Sequence, residues 1–549
     1  MNKIDEFFLE GHVRPYARPA EYITRINAPF NYQTPDPRKD YDGFQRANEE
    51  WISALNYELV RYLQLMYTAV GRRIYQLDQF MYAWEIRLLK ELLPEIYIPI
   101  IKWMKEDNFP LNPKIEVLIN QLSAYQREHN SLSRPWDNTI YRTFLDNKSK
   151  NISIEYFLDQ FPIKLDIENS CFKLYLPSGK EFYGDVSCYQ IMESMANIIQ
   201  IQKAGKLEKK LILKDCSNML KLQNNFPILF MIQSGILENP DWAFLLYTFM
   251  MCISQISLMM NPLTLELHGG DKYKKFINKL QPGKIFLELL QRTDVFSSFS
   301  GAIHGNLLLD ILIQSDLFKS GKQQEVNPDN SRNGLRKDWF KICDMLCELV
   351  KIPPYTYMVE LTIKEAIEDK RCATEIQYAR AKTTDKKEEL RRVGLYSEET
   401  LPLAESRGRQ FDVALKLLEK IRTNSDYIIH PFDMLNNSTD PGQNIPQPPM
   451  LTYDDELVII PGQEKLWDAT ITLGRLHMMH FVNRIFLANN LCCYQFDDGS
   501  DISYPCKDFN NCINRDKNSF LEFCNNEGWK EYTKFAFKAL GIKKYILLK

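Results

Sequence analysis

A chain of 549 residues is long enough for roughly two to four units of the usual domain size, or for one large helical body that fuses them. With 45% hydrophobic and 25% charged residues, wholesale disorder is excluded. A formal net charge of −3 excludes a global basic field for nucleic acid or an anionic membrane, while leaving room for a local patch.

The first eleven residues carry Asp5, Glu6 and Glu10 and no apolar run, so they do not read as a secretory leader. Twelve cysteines are scattered through a long chain rather than packed at short spacing, which points to a reducing cytoplasm and not to a disulfide framework.

Residues 1–45 read as an extended Pro/Arg-rich arm, because the prolines between 12 and 45 deny helical hydrogen bonds. Residues 46–150 form an N-terminal helical region. There Ile52, Leu55, Leu59, Leu63, Met66 and Val70 recur at helical spacing, and Ile74, Leu77, Met81, Trp84 and Leu88 continue the stripe, as one long helix or two broken near Gly71. Arg72, Arg73 and Arg87 lie among Glu58, Asp78, Glu85 and Glu91, a mixture of signs that reads as a solvated face.

Residues 151–335 are read as a central region with a β-hairpin and a helical core. Phe172 to Leu176 alternates, Pro177-Ser178-Gly179 turns, and Lys180 to Tyr183 returns, placing a hairpin over 172–183. Ser187 and Gln190 have capping-box spacing at the head of a helix running through Ile191, Met195, Ile198, Ile199 and Ile201. Trp242 to Met260 is nearly apolar and long enough to span a bilayer, but Ser254, Gln255 and Ser257 interrupt it and it lacks a basic flank. It is expected to be a buried central helix opened by Asn239-Pro240-Asp241, with no membrane contact. His268-Gly269-Gly270-Asp271 is similar to the glycine turn of some α/β-hydrolases, yet the chain has no G-x-S-x-G elbow, so it reads as a helix-ending turn. Ser300 near His304 is a pair for mutagenesis, and the lysines at 203, 206, 209, 210 and 214 form a basic run.

A polar segment at 319–335 separates this region from a helical region at 336–430, where Cys343 and Cys347 share an apolar helix face. Residues 431–463 are a Pro/Asn-rich linker. Residues 464–549 are expected to hold a helix, a cysteine-bearing loop and a last helix from about Trp529. The architecture expected is therefore mainly α: a multi-helix globular chain with one β-hairpin near 172–183 and a cysteine-bearing C-terminal loop.

Two candidate sites lie in the last region. Cys493, Cys506, Cys512 and Cys524 could supply four thiolates to a structural zinc, although their even spread lacks the close pairs of the usual knuckles; free or buried thiols are the competing reading. In Arg475-Leu476-His477-Met478-Met479-His480, His477 and His480 could share a metal, or the segment could simply pack as an amphipathic helix. The spacing of Arg475 and His480 also resembles the R-x4-6-H element of HEPN-type helical ribonucleases. That resemblance implies a basic pair handling phosphate and proton transfer, usually at a dimer interface, with Leu476 departing from the polar residue usual there.

The chain contains no Walker-type loop, no G-x-G-x-x-G after a strand and no H-E-x-x-H, which counts against ATPase, Rossmann dehydrogenase and zincin chemistry. What remains is an intracellular helical interaction or scaffold protein, one component of a larger complex, with a protein partner or self-association. A metal-independent HEPN-like ribonuclease using Arg475 and His480 and a nucleic-acid binder without catalysis are the alternatives.

Overall fold

The first long helix is broken where the backbone leaves helical geometry at Thr68. In the computed structural model residues 63–67 are helical, Thr68 is extended, and α1 runs from Ala69 to Leu92. The Thr68 hydroxyl donates to the carbonyl of Gln64 (2.7 Å) and accepts from the amide of Gly71 (3.0 Å), capping the new helix while closing the old one. Gly71 is required by this overlap, since a Cβ there would sit 2.4 Å from the Gln64 carbonyl oxygen. The model describes chiefly residues 60–133, 163–175, 181–203, 240–291 and 340–372, with shorter pieces within 26–44, 415–422, 451–458, 485–505 and 542–547.

Within these residues the protein is mainly α. Helix α2, Pro113–Ser133, starts with proline in its first turn after Asn112, whose side-chain oxygen accepts from the amides of Lys114 and Ile115. It runs antiparallel to α1, as Arg73 meets Glu128 at one end and Glu91 meets Lys114 at the other. Between them lie a strand, Glu95–Ile98, and a short turn of helix, Ile100–Met104. Trp103 packs there between Tyr97 and Phe109, with ring centroids 4.9 and 5.1 Å away. With Ile26–Ala28 as β1, that strand is β2.

The hairpin expected at 172–183 is present and belongs to a three-stranded antiparallel sheet of β3 (Ile163–Asp166), β4 (Cys171–Tyr175) and β5 (Glu181–Asp185). Leu174 stands opposite both Phe182 and Ile163. A tight turn with Ser170 at positive φ joins β3 to β4. The capping box that follows is formed in both directions: the Ser187 amide donates to Gln190 Oε1 (2.9 Å) and the Gln190 amide to Ser187 Oγ (3.3 Å). It opens α3, Cys188–Lys203.

The apolar segment is α4, Pro240–Met259, beginning at the expected proline. Every residue from Met250 to Met260 is buried, serines and glutamine included, so this part of the helix is enclosed on all sides. Its polar groups are met in part: Ser257 donates to the Ile253 carbonyl (2.7 Å) and the Gln255 side-chain amide donates to the Tyr67 hydroxyl, while Ser254 Oγ and Gln255 Oε1 find no hydrogen-bond partner among the described residues. No helix among the described residues is long and apolar enough to cross a membrane.

Asn261 then caps α5, Pro262–His268, which ends at Gly269 as the glycine turn predicts, the Gly269 amide returning to the Leu265 carbonyl. Short turns lead into α6, Pro282–Gln291. Residues 340–349 are helical and end with Lys351 at positive φ, the Ile352 amide reaching back to the Cys347 carbonyl before Pro353. Tyr355–Cys372 is α7.

Two hydrophobic cores result among the described residues. The larger joins α1, α3, α4, α6 and α7; the smaller lies under the far half of α1, β2 and α2 and includes Ile485, Phe486 and Ile542 from late in the chain. Strand β2 pairs in parallel with Lys544–Leu547 (β10). Strand β1 pairs in parallel with Leu451–Tyr453 (β6), which turns back onto Glu456–Val458 (β7). The cysteine-bearing segment expected as loop opens instead with an antiparallel pair, Leu491–Gln495 (β8) and Asp501–Pro505 (β9).

Candidate functional site

The face of α1 that its mixed charges suggested was solvated is largely internal: Arg72, Asp78 and Glu85 are buried. Burying an unpaired charge costs several kcal/mol, roughly, so such groups need partners across the fold. Arg72 Nη2 donates to Asp369 Oδ2 of α7 at 2.6 Å, and Gln76, one turn on, donates to the same oxygen. Arg73 grips Glu128 through two nitrogens, at 2.7 and 2.8 Å. His129 Nε2 stands 3.2 Å from Asp78 Oδ1.

Around Arg72 a polar constellation gathers from three helices. Glu365, Glu368 and Asp369 share one face of α7 by their spacing. The Thr264 hydroxyl donates to Glu365 Oε2 at 2.8 Å, and His268 Nδ1 lies 3.6 Å from Glu368 Oε2. Burial pushes the Glu365 carboxyl upward, with the neighbouring Asp369 adding to the shift and Arg72, the Thr264 hydroxyl and His268 opposing it. Yet among the described residues no three His, Cys, Asp or Glu side chains converge as metal ligands. The arrangement locks α1, α5 and α7 together.

A second buried pair ties α3 to the helical residues before α1. Arg61 Nε lies 2.5 Å from Glu193 Oε1, its Nη2 donates to the Tyr189 hydroxyl at 2.6 Å, and the guanidinium sits 4.9 Å over the Tyr189 ring. Burial pushes the Glu193 carboxyl up to about 8 even so. In the unfolded chain a glutamate ionises near about 4.3, so between those values the folded chain keeps a proton that the unfolded chain releases. The stability this contributes is full at pH 4 and is lost as pH rises through about 8. Glu193→Gln is therefore expected to flatten the fall in unfolding free energy between pH 5 and 8, followed by urea unfolding, by up to about 1.4 kcal/mol per pH unit. Equal slopes for the two proteins would assign the effect elsewhere.

The third polar cluster is the thiol-lined centre of the larger core. Cys343 and Cys347 are fully buried, as the apolar face around them implies, and the Cys343 thiol shares a hydrogen bond with that of Cys252 of α4. Burial raises both thiols well above the ordinary range, so neither offers a thiolate at neutral pH. The hydroxyl of Tyr355, buried beside them, finds no hydrogen-bond partner among the described residues.

Turned outward is a face of the α1–α2 pair. Phe80, Trp84 and Arg87 recur at four- and three-residue steps on α1, and Tyr125 of α2 meets both rings, at 5.4 Å from Phe80 and 6.4 Å from Trp84. The Arg87 guanidinium lies 4.9 Å over Trp84. Phe80 is 38% exposed, and Val117, two turns before Tyr125, is 59% exposed.

Of the residues singled out from sequence, Arg475, His477, His480, Cys506, Cys512 and Cys524 lie outside the described residues, as do Ser300, His304 and the lysines at 206–214. Cys493 is in β8, in register with Ser503 of β9. The structure thus brings together groups that the sequence reading left apart, Arg72 with Asp369 and Arg61 with Glu193, whose only local signal is a charge at an otherwise apolar helical position. No family model, no curated protein and no solved structure matches this chain.

Proposed function

We propose that the protein is a helical interaction protein, a scaffold component of a larger assembly, and that it docks a protein partner through the aromatic–arginine face of the α1–α2 pair. The observation that carries this reading is the part-exposed cluster of Phe80, Trp84, Tyr125 and Arg87 at the surface of these helices. Aromatics and arginine are the residue types that concentrate binding energy at protein interfaces, and this group, with Phe80 exposed and Trp84, Tyr125 and Arg87 half-buried on two braced helices, is pre-organised for docking. The direction of the buried charges supports the same reading: the described arginines 61 and 72 are spent on internal locks. A reducing cytoplasm fits the buried thiols Cys171, Cys188, Cys252, Cys343 and Cys347, none of which is joined in a disulfide.

The test is a double variant, Phe80→Ala with Val117→Asp, purified from its native host beside the parent. Both positions are exposed, so melting should change little. The parent is expected to elute in a species well above the 64.6 kDa of one chain and the variant as that chain alone. A parent that elutes as a bare monomer, or a variant that keeps the same assembly, would refute the reading.

A further inference from the structure

The segment from Asp271 to Lys284 presents Lys272, Lys274, Lys275, Lys279 and Lys284 with Asp271 as its single acid, a local charge opposite in sign to that of the whole chain. It is built as a rigid ridge. In successive tight turns the amides of Tyr273, Phe276, Lys279 and Leu280 donate hydrogen bonds to the carbonyls of Gly270, Tyr273, Phe276 and Ile277 in turn. The Gly270 amide donates to the Tyr357 hydroxyl of α7 at 2.8 Å, and Tyr273 lies against that ring with centroids 4.5 Å apart. Tyr273, Tyr357 and Ile277 rest on the larger core while Lys272, Lys274, Lys275 and Lys279 point to solvent. Amines and rings are interleaved: Lys272 Nζ is 4.9 Å from the Tyr273 centroid, and Lys275 and Lys279 stand 5.1 and 5.8 Å from that of Phe276. Lys274 is partly engaged by Asp271 at 3.3 Å, which leaves three outward amines around two rings.

We propose that this ridge binds single-stranded nucleic acid, with Lys272, Lys275 and Lys279 contacting phosphates and Phe276, flanked by two of these amines, giving a base a surface to stack on. Spaced cations flanking aromatic rings match the alternation of phosphate and base along a single strand. A membrane fits less well, because Tyr273 and Ile277 are turned back onto the core rather than outward to enter an acyl layer. The ridge is separate in sequence from the α1–α2 face, and this inference does not rest on the proposed protein partner.

Fluorescence anisotropy of the full chain with labelled 15-mers of oligo-U and oligo-dT, at 50 and 200 mM salt, tests it. Binding is expected to weaken with salt. Lys272→Glu/Lys275→Glu/Lys279→Glu, checked for an unchanged melting temperature, is expected to lose at least tenfold in affinity at 50 mM salt and to flatten the salt dependence by roughly two to three phosphate contacts. Phe276→Ala is expected to lose about five- to thirtyfold with the salt slope kept, since stacking is uncharged. Lys114→Glu, elsewhere on the surface, should bind as the parent does. Preference between the two oligomers reports whether the strand is RNA or DNA. Parent binding that the triple variant retains, no parent binding to either oligomer, or binding only to vesicles containing phosphatidylserine would each overturn the proposal.

Discussion

Gly71→Ala is expected to lower the stability of the α1 region by about 2–4 kcal/mol, combining an overpacked contact with damage to the Thr68 cap. The added Cβ would lie 2.4 Å from the Gln64 carbonyl oxygen and 2.7 Å from Leu65 Cα, both backbone atoms held by the preceding helix, and 2.7 Å from Thr68 Oγ1. The first two cannot swing aside and Thr68 Oγ1 is held by its two cap hydrogen bonds, so relief requires the two helices to separate at the break, where Val70 and Ile74 enter the larger core. Gly270→Ala is the matched control, because its Cβ would meet only the Tyr357 hydroxyl, at 3.7 Å. Urea unfolding of both variants should show a displaced midpoint for Gly71→Ala and little change for Gly270→Ala. Coincident midpoints would mean that the overlap at Thr68 does not hold the break.

The second large effect is expected at Arg72. Arg72→Met keeps the apolar stem and removes the cation, leaving Asp369 and Glu365 without it, at a cost of about 3 kcal/mol. Asp369 retains some solvent, which sets the estimate at the lower end of the range for breaking a buried pair. Arg72→Lys should recover little, since the ammonium on its shorter stem lacks the reach of the guanidinium Nη2 that meets Asp369. Combining Arg72→Met with Asp369→Asn should cost less than the sum of the two, as groups in one network do not add. Strict additivity in urea or thermal unfolding would show that the two side chains act independently.

What was legible in the sequence is what short-range chemistry specifies. The break near Gly71, the Ser187/Gln190 box, the start at Pro240 and the stop at Gly269 each depend on residues within four positions. The buried run at the end of α4 was legible because the segment is apolar on all sides and only three polar residues interrupt it. The charges of α1 were misleading for the opposite reason. Arg72 and Gln76 reach a partner nearly three hundred residues onward, and nothing local distinguishes an arginine awaiting Asp369 from one facing water. Strand β3 has only four residues, and the parallel pairing of β2 with β10 joins the first quarter of the chain to its last residues, beyond any local pattern. Of the sites, the lysine and aromatic run at 272–279 is readable as composition, while its rigidity and its anchoring on Tyr357 come only from the fold. The spacing of Arg475 and His480 and the spread of cysteines remain sequence features alone, outside the described residues.

The most direct test of the proposed docking face is site-specific photo-crosslinking in the native host, with the reactive side chain placed at Phe80 in one strain and at Lys351, exposed and outside this face, in another. The account predicts one discrete protein adduct from position 80, abolished by Val117→Asp, and none from position 351. Equal adducts from both positions, or none from position 80 while the chain still migrates within an assembly, would contradict it.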